Sequence, residues 1–358
     1  MGNSVIGDFK TKVGLVDNYP FTELPRHKHS NSRVPPFMKR LLRVIYWSLF
    51  ALLLVVGGMF VGAYWLRYRQ GDGQVLSSFR GQAVQPRLHR YRIGDRTIRF
   101  LESAPSAADS LPVVFFIHGA PGSLVFFKAF FRDTFLLRHA RLVAVDRTGY
   151  GGSDFGRVEV SIVRQAQLLQ PLMNRYRNAP FMLVVGSSYG GALAARLAMD
   201  NPGTVSHVLF VSSALGPGLE YTFPISYWLD HPPLRWLVPQ LLLNANDEKL
   251  SHRRALTEIL PDWGRIRAGV TFLHGQRDEL VYPSNVAFAR QRLVNARVKE
   301  FILPESRHDI VENRHDYMAG IIRNVLAAYS LKAVRVARER LVTKGGQVSP
   351  KVSGKSAL

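Results

Sequence analysis

The stretch VVGSSYGGALAA, residues 184–195, places two adjacent serines between glycines, where an apolar run gives way to small residues. The preceding FMLVVG predicts a strand that ends at Gly186, and the following GGALAARLAMD predicts a helix. A nucleophilic serine on such a strained strand-to-helix turn leaves no room for side chains two residues before it and two residues after it. Ser188 meets this condition with Gly186 and Gly190, whereas Ser187 would place a valine and a tyrosine there. The stretch therefore predicts a tight turn that carries a nucleophile, and the nucleophile is Ser188.

Apolar runs alternate with helical segments on both sides of this turn. The runs are PVVFFIHG (112–119), RLVAVD (141–146), FMLVVG (181–186), SHVLFVSS (206–213), GVTFLHG (269–275) and VKEFILP (298–304). Helices are predicted over 123–139, 160–177, 189–200, 284–293 and about 310–342, and a hairpin is predicted around Gly94-Asp95. Near-continuous apolar runs are typical of strands that are buried on both faces. Their alternation with helices predicts an α/β fold with a mostly parallel sheet and helices on both faces.

A nucleophilic serine needs a general base, an acid that orients the base, and donors for the oxyanion. Asp278 follows the strand GVTFLHG, and His308 follows the strand VKEFILP. The carboxyl ends of parallel strands meet at one edge of the sheet, so both side chains are expected near Ser188 in the chain order Ser, Asp, His. Glu279 stays open as an alternative acid, while His274 is interpreted as a packed strand residue. The pattern predicts a catalytic triad.

The oxyanion donors are expected in the loop IHGAPGS, residues 117–123, which follows the first long parallel strand. In such sites a backbone N–H of this loop and the N–H after the nucleophile form the oxyanion hole. Because Pro121 has no N–H, Ala120 is the expected first donor and Tyr189 the second. His118 is interpreted as a residue that orders the loop. This chemistry needs neither a metal nor an organic cofactor.

Across residues 88–330 the chain resembles proteins of the α/β-hydrolase fold. The resemblance rests on HGAPG, DRTGYGGSD (146–154), GSSYGG, HGQRDELV and ESRH. It implies a serine hydrolase that acts on a small-molecule acyl substrate through an acyl-enzyme on Ser188. Epoxide hydrolases and haloalkane dehalogenases of this family use an aspartate nucleophile, so the serine argues against both. Thr148 stands where proline is common in the family's D-x-x-G-x-G-x-S loop, which is expected to shape the site without doing chemistry.

An esterase is the favoured activity, and three alternatives stay open. The same triad serves an aminopeptidase or amidase, and HGAPG differs at Ala120 from the HGGPG motif of proline iminopeptidase relatives. A hydroxyl or amine that replaces water at deacylation would make an acyltransferase. A non-catalytic binding module is the alternative of another class, and the intact order of the triad counts against it. Residues 214–268 interrupt the strand–helix alternation and are rich in Trp, Pro and Leu, which predicts an inserted helical cap over a pocket for a small or medium hydrophobic acyl ester.

A long apolar segment near the N-terminus predicts a membrane anchor. Residues 44–66 run for 23 positions without a charge, long enough to cross a hydrocarbon core of about 30 Å and contact the lipid bilayer. A transmembrane helix is therefore predicted over 41–67. Six Lys and Arg residues lie in 24–43 and three in 67–86, which favours a cytoplasmic N-terminus. The chain is predicted to be a single-pass membrane protein, of the inner membrane with a periplasmic hydrolase domain if it is bacterial.

The rest of the 358 residues is assigned by composition. Residues 1–40 are predicted to be a disordered basic tail, 68–87 a linker, 88–342 the hydrolase domain and 343–358 a second disordered tail. The net charge of +21 could indicate nucleic acid or an anionic membrane. No nucleic-acid-binding motif accompanies the charge, so nucleic acid is not expected as a partner. The sequence does not specify an oligomeric state.

Overall fold

The computed structural model describes residues 35–66, 69–104 and 110–345. Within them eight strands form one sheet: β1 Arg87–Ile93, β2 Arg96–Ser103, β3 Val113–Ile117, β4 Arg141–Val145, β5 Met182–Ser187, β6 His207–Val211, β7 Gly269–Gly275 and β8 Val298–Leu303. Their spatial order is β1-β2-β4-β3-β5-β6-β7-β8. The pairs β1–β2 and β2–β4 are antiparallel, and every other neighbouring pair is parallel. The predicted hairpin and the mostly parallel α/β sheet are confirmed.

The described helices lie before, between and after the strands. They are α1 Pro36–Leu66, α2 Asp72–Ser77, α3 Thr134–His139, α4 Ile162–Arg175, α5 Tyr189–Asp200, α6 Ile225–Leu229, α7 Pro232–Arg235, α8 Gln240–Glu258, α9 Ser284–Arg290, α10 Ile310–Asn313 and α11 His315–Gly345. One face of the sheet shares an apolar core with α4, α5 and α9. The other face shares a second core with α2, α3, α10 and α11. Helices therefore cover both faces, as predicted.

Strand β3 explains why the central strands are apolar throughout. Its sequence VVFFI is buried at all five positions. Val113, Phe115 and Ile117 belong to the core on one face, and Val114 and Phe116 belong to the core on the other. Successive side chains of a strand point to opposite faces, so a strand covered on both sides needs apolar residues at every position.

Helix α1 begins earlier than the predicted membrane helix. It contains residues 36–40, which were predicted to belong to the tail. Proline is well suited to a first helical position because its missing N–H is not needed there, and Pro36 occupies that position. Within Pro36–Gly62 an 18-residue window has a mean hydropathy of 2.3 and none of that window is buried, which makes this part of the helix a candidate membrane span by length and composition. The remainder of the predicted tail, residues 1–34, lies outside the described residues.

Several predicted boundaries are corrected by the structure. The linker 68–87 contains α2, whose first turn is closed by the backbone N–H of Gly71 donating to Gln74 Oε1 at 3.1 Å. Over 123–139 the chain forms two short 3₁₀ turns and α3 instead of one helix, and the five phenylalanines of this segment pack into or against the core that also contains α2, α3, α10 and α11. The terminal helix is broken at Arg314, between α10 and α11. Within the described residues the helix also extends three residues past 342, to Gly345. The remainder of the second predicted tail, residues 346–358, lies outside the described residues.

The interval 214–268 holds α6, α7 and α8, and helices α6 and α8 contact each other. The C-terminal part of this interval does not belong to a cap over the site. Leu256, Ile259 and Trp263 are fully buried in the same core as α5 and the sheet. The predicted cap 214–268 therefore includes residues of the hydrolase core at its C-terminal end, where the apolar side chains face the sheet.

His207 makes the stability of the domain sensitive to acid. It begins β6, and its Nε2 lies 2.9 Å from Thr271 Oγ1. Burial, together with the positive charge of Lys299, lowers the pKa of His207 to about 4. An unfolded histidine has a pKa of about 6.5, so the unfolded chain binds more protons between these values. The free energy of unfolding therefore falls as the pH falls through that window.

When the pH is lowered from about 7 to about 4, we expect the free energy of unfolding to fall more in the wild type than in His207→Gln, by up to about 3 kcal/mol. Glutamine keeps an amide that can bond Thr271 but does not titrate. Urea unfolding at the two pH values measures the difference. Carboxylates elsewhere in the chain affect both proteins alike. An equal fall in the free energy of unfolding of the two proteins would therefore show that His207 is not the source of the acid sensitivity.

Candidate active site

Ser188 lies on a strained turn between β5 and α5. The strand ends at Ser187 and the helix begins at Tyr189, so a single residue makes the connection. Its backbone has φ 52° and ψ −123°, a region that non-glycine residues rarely occupy. The Ser188 N–H donates to the carbonyl of Val211 at the end of β6 with a distance of 3.0 Å. The surrounding sheet thus holds the strained residue in place.

The glycines on either side of Ser188 lie too close to backbone atoms to carry a side chain. A Cβ built on Gly186 would lie 2.5 Å from the carbonyl oxygen of Gly190. A Cβ built on Gly190 would lie 2.4 Å from the carbonyl oxygen of Ile117 in β3. These close contacts explain why both positions must be glycine, which is the condition that predicts Ser188 as the nucleophile.

We expect Gly190→Ala to lower the free energy of unfolding by about 3 kcal/mol, at the upper end of overpacking effects, because backbone must move to admit the methyl group. Gly203→Ala is the matched control, since a Cβ there meets nothing within 4 Å. Urea unfolding of both variants measures the difference. A Gly190→Ala protein as stable as the Gly203→Ala protein would show that the turn tolerates a side chain.

The structure brings the three predicted triad residues together. His308 Nε2 lies 3.0 Å from Ser188 Oγ, and His308 Nδ1 lies 2.8 Å from Asp278 Oδ2. The Asp278 side chain is fully buried, and its Oδ1 accepts hydrogen bonds from the backbone N–H groups of Leu280 and Val281 at 3.0 and 2.8 Å. A carboxylate that only accepts fixes the proton on Nδ1 and leaves Nε2 free to accept the serine proton. This is the geometry of a nucleophile, a base and an orienting acid.

The competing residues do not reach the serine. Glu279, the alternative acid, has an exposed side chain, and the acid in contact with His308 is Asp278. His274 Nε2 bonds the carbonyl of Val281 at 2.9 Å, as expected of a packed strand residue. Burial lowers the pKa of His274 and keeps the ring neutral near pH 7. The site therefore contains one serine–histidine–aspartate chain.

The triad opens into an apolar cavity of about 350 Å³. Ser188 and His308 line it together with Ala120 and Tyr189, the two predicted oxyanion donors, whereas Ser187 is buried behind the turn. Most of the remaining wall comes from the segment 220–252 and from the loop after Asp278. The rest of its apolar lining consists of Pro121, Tyr221, Phe223, Leu229, Leu242, Ala245, Leu280 and Val281. Ser188 is therefore exposed to a cavity whose wall is mostly apolar.

The loop that carries Ala120 is fixed by a buried arginine that sequence reasoning missed. Arg147 follows β4, is 0% exposed, and donates from Nε to the His118 carbonyl at 2.9 Å and from Nη2 to the Gly119 carbonyl at 3.0 Å. The Arg147 backbone N–H also donates to His118 Nε2 at 3.0 Å. Burial and the charge of Arg147 hold the pKa of His118 well below its ordinary value, so the ring stays neutral. His118 orders the loop and carries no proton for the reaction.

Glu248 on α8 balances the charge of Arg147. Its carboxylate accepts from Arg147 Nη1 at 2.5 Å and Nη2 at 2.9 Å, and both side chains are fully buried. Tyr150 and Gln165 also donate to this carboxylate, at 2.8 and 3.1 Å. The guanidinium lies 4.5 Å from the ring centre of Tyr189, the residue after the nucleophile. The network therefore connects the loop that carries Ala120 with α4, α5 and α8.

Among the described residues, no group of three or more His, Cys, Asp or Glu side chains is placed to hold a metal ion.

Comparison with known proteins gives a consistent identification of the fold. A family model described as "alpha/beta hydrolase fold" matches residues 112–237, which include Ser188. Protein ABHD8 of Bos taurus is 29% identical over 179 residues, which are 46% of this chain and 41% of that protein. The match thus spans less than half the length of this curated relative.

Solved structures agree with the family model. A putative lipase from Acinetobacter baumannii AYE superimposes with a TM-score of 0.55 at 16% identity, covering 74% of this chain and 98% of that one. A membrane phospholipase A described as a bacterial virulence factor gives a TM-score of 0.52 at 21% identity, covering 82% of this chain and 99% of that one. At these identities the likeness shows the shared fold.

Proposed function

Given that this chain has the α/β-hydrolase fold, we propose that it is a serine hydrolase that cleaves a carboxylic ester through an acyl-enzyme intermediate. The observation that carries the proposal is the chain of contacts from Asp278 Oδ2 through His308 to Ser188 Oγ, with distances of 2.8 and 3.0 Å, at the wall of an apolar cavity. Lipases and esterases among the proteins of this fold are consistent with it.

The reaction follows from the positions of these groups. Ser188 Oγ attacks the ester carbonyl while His308 Nε2 accepts its proton, and Asp278 stabilises the imidazolium. The backbone N–H groups of Ala120 and Tyr189 stabilise the tetrahedral oxyanion. The C–O bond to the alcohol then breaks, and the alcohol leaves with the proton from His308. Water attacks the acyl-enzyme with His308 as base, which releases the acid and restores the serine.

The cavity favours esters of small or medium acyl groups. Its volume of about 350 Å³ is near the lower end of small-molecule sites, which span roughly 300–1,000 Å³. Tyr221, Phe223 and Leu280 line it and also reach solvent, with 40%, 51% and 42% exposure. An apolar wall that extends to the surface gives an acyl chain a continuous path toward Ser188.

Acylation of Ser188 is the direct test. The purified full chain in detergent is incubated with 4-nitrophenyl butyrate, quenched in acid and digested, and the peptide that contains residues 184–195 is examined by mass spectrometry. A butyryl group on Ser188 and turnover of the ester support the proposal. A folded protein that neither turns over the ester nor becomes acylated contradicts it and favours a binding module. Faster cleavage of aminoacyl amides identifies a peptidase, and product esters formed with an added alcohol identify an acyltransferase.

We also propose that α1 anchors the hydrolase domain to a membrane. The support is the candidate span Pro36–Gly62, which contains an 18-residue window with a mean hydropathy of 2.3, together with the excess of basic residues before the uncharged run 44–66. This charge bias orients the N-terminus toward the cytoplasm and the hydrolase domain to the other side, which is the periplasm in a bacterium. Alkaline phosphatase fused after residue 358 should be active in bacterial cells. An inactive phosphatase fusion together with an active β-galactosidase fusion would reverse the orientation.

A further inference from the structure

Three polar side chains interrupt the apolar wall of the active-site cavity. Glu220, Lys249 and His252 all line it, and the last two lie on one face of α8 at a spacing of three residues. Both converge on the same oxygen: Lys249 Nζ lies 3.1 Å and His252 Nδ1 2.8 Å from Glu220 Oε1. We call these three residues the polar trio. Charged groups seldom line an apolar cavity without a function, because removing them from water is costly.

One nitrogen of the trio is buried without a partner. Glu220 can only accept while ionised, so His252 Nδ1 carries a hydrogen; Nε2 accepts if the ring is neutral and donates if the ring is protonated. His252 is 1% exposed, and its Nε2 has no hydrogen-bond partner among the described residues. Leaving such a group unpaired costs free energy that a ligand hydrogen bond would recover. The cavity wall that carries Lys249 therefore also contains a buried nitrogen without a hydrogen-bond partner.

The trio is close to the nucleophile and firmly held. The His252 ring stacks on the ring of Tyr189, with 4.5 Å between centroids, and Tyr189 directly follows Ser188. The backbone at Glu220 pairs with Val281, in the loop whose N–H groups hold Asp278. The trio therefore has a fixed position relative to the triad and can orient a substrate.

The charges of the trio select what it can bind. Burial raises the pKa of Glu220, but His252 and Lys249 outweigh this and bring the pKa below its ordinary value, so the carboxylate is ionised. An anion would meet that carboxylate, and a cation would meet the Lys249 ammonium. The neighbouring Glu248 is fully engaged with Arg147 and adds no free charge. A neutral hydroxyl fits both partners, since it accepts from Lys249 and either donates to His252 Nε2 or accepts from it.

We propose that the polar trio is a subsite for a neutral hydroxyl group of the substrate, so that the enzyme prefers hydroxyl-bearing esters over their unsubstituted counterparts. This inference rests on the proposed ester hydrolysis. It narrows the substrate class from apolar acyl esters to esters whose alcohol or acyl part carries a hydroxyl near the scissile bond.

Matched ester pairs test the subsite on the full chain in detergent. In the first pair, glycerol 1-monobutyrate is compared with propyl butyrate, so the hydroxyls are on the alcohol part. In the second pair, 4-nitrophenyl 3-hydroxybutyrate is compared with 4-nitrophenyl butyrate, so the hydroxyl is on the acyl part. We expect kcat/KM to favour the hydroxylated member of one pair by about 10-fold or more, as two added hydrogen bonds would give. The pair that shows the preference identifies the side of the substrate that contacts the trio.

Two variants assign the preference to the trio. Lys249→Met keeps the length of the side chain, and His252→Phe keeps the stack on Tyr189. Each should reduce the preference, measured as the ratio of kcat/KM within one ester pair, to about 3-fold or less, and this ratio cancels any change that affects both esters alike. Lys299→Met, at an exposed position of β8, is the matched control and should keep the full preference. Thermal unfolding of each protein establishes that it is folded.

Three results would overturn the proposal: a wild-type preference near 1 in both pairs, a preference that survives in both trio variants, or faster cleavage of propyl hemisuccinate than of propyl butyrate, because the Glu220 carboxylate should repel the anionic group of the hemisuccinate. Failure of the proposed function is a different result, in which no ester is cleaved. In that case calorimetry tests the subsite without ester cleavage. It compares the binding of N-(2,3-dihydroxypropyl)butanamide and of N-propylbutanamide to the Ser188→Ala protein. About 10-fold tighter binding of the dihydroxy amide supports the subsite, and equal binding overturns it.

Discussion

Replacing Ser188 by alanine should lower kcat/KM for 4-nitrophenyl butyrate by at least about 10⁴-fold. The variant lacks the atom that attacks the carbonyl, and His308 then has no proton to accept at the first step. The cavity and the backbone donors at Ala120 and Tyr189 remain, so a small residual rate above that of water is expected. The same variant should not react with a fluorophosphonate probe that labels the wild-type protein.

Ser187→Ala is the matched control, because the two serines are adjacent in the chain but have different environments. Ser187 is the last residue of β5 and is 5% exposed, while Ser188 lines the cavity. We expect the Ser187→Ala protein to keep activity within about 5-fold of wild type and to keep probe labelling, since no transition-state contact is lost. Loss of labelling in Ser187→Ala with labelling retained in Ser188→Ala would contradict the assignment of the nucleophile.

The triad could be predicted from sequence because its determinants are local. Gly186 and Gly190 are required by the backbone atoms that approach the turn, and that requirement is visible within five residues of sequence. Asp278 follows β7, which is mostly apolar and buried, and His308 follows the edge strand β8, which is exposed at Lys299 and Glu300 and ends in apolar residues. The ends of parallel strands meet at one edge of the sheet. The central part of the parallel sheet was predictable because strands buried on both faces leave a clear apolar pattern.

The network behind the triad was not predictable, because its members meet only through tertiary packing. Arg147 and Glu248 are 101 positions apart in the chain, and nothing local indicates that an acid on α8 reaches the loop after β4. The segment 214–268 was predicted to be an apolar cap, and its Trp and Pro content hid the charged residues that face inward. The helical spacing of Lys249 and His252 was the one available signal, because a polar pair on the cavity face of a helix needs partners.

Among substitutions outside the triad, those that break the buried ion pair between Arg147 and Glu248 should cause the largest loss of stability. Glu248→Gln leaves a fully buried guanidinium without a counter-charge, and breaking a buried pair from one side costs about 3–5 kcal/mol of unfolding free energy. Urea unfolding measures the loss. Asp95→Asn is the matched control, since Asp95 pairs with Arg157 at the surface, where the two side chains are 76% and 53% exposed. Solvent screens that pair, so we expect little change in stability.

Activity should fall as well, for a reason separate from stability. Arg147 holds the carbonyls of His118 and Gly119, which precede the proposed oxyanion donor at Ala120. A guanidinium released from Glu248 is free to shift, and displacement of a single oxyanion donor lowers kcat by about 10²-fold. Under conditions where Glu248→Gln is fully folded, we therefore expect kcat to fall by about 10-fold to 10²-fold, with a smaller change in KM. The double variant Arg147→Met/Glu248→Leu removes both charges and should regain most of the stability but not the activity, because Met cannot bond the two carbonyls. A double variant that recovers full activity would show that Arg147 stabilises the fold without positioning the oxyanion loop.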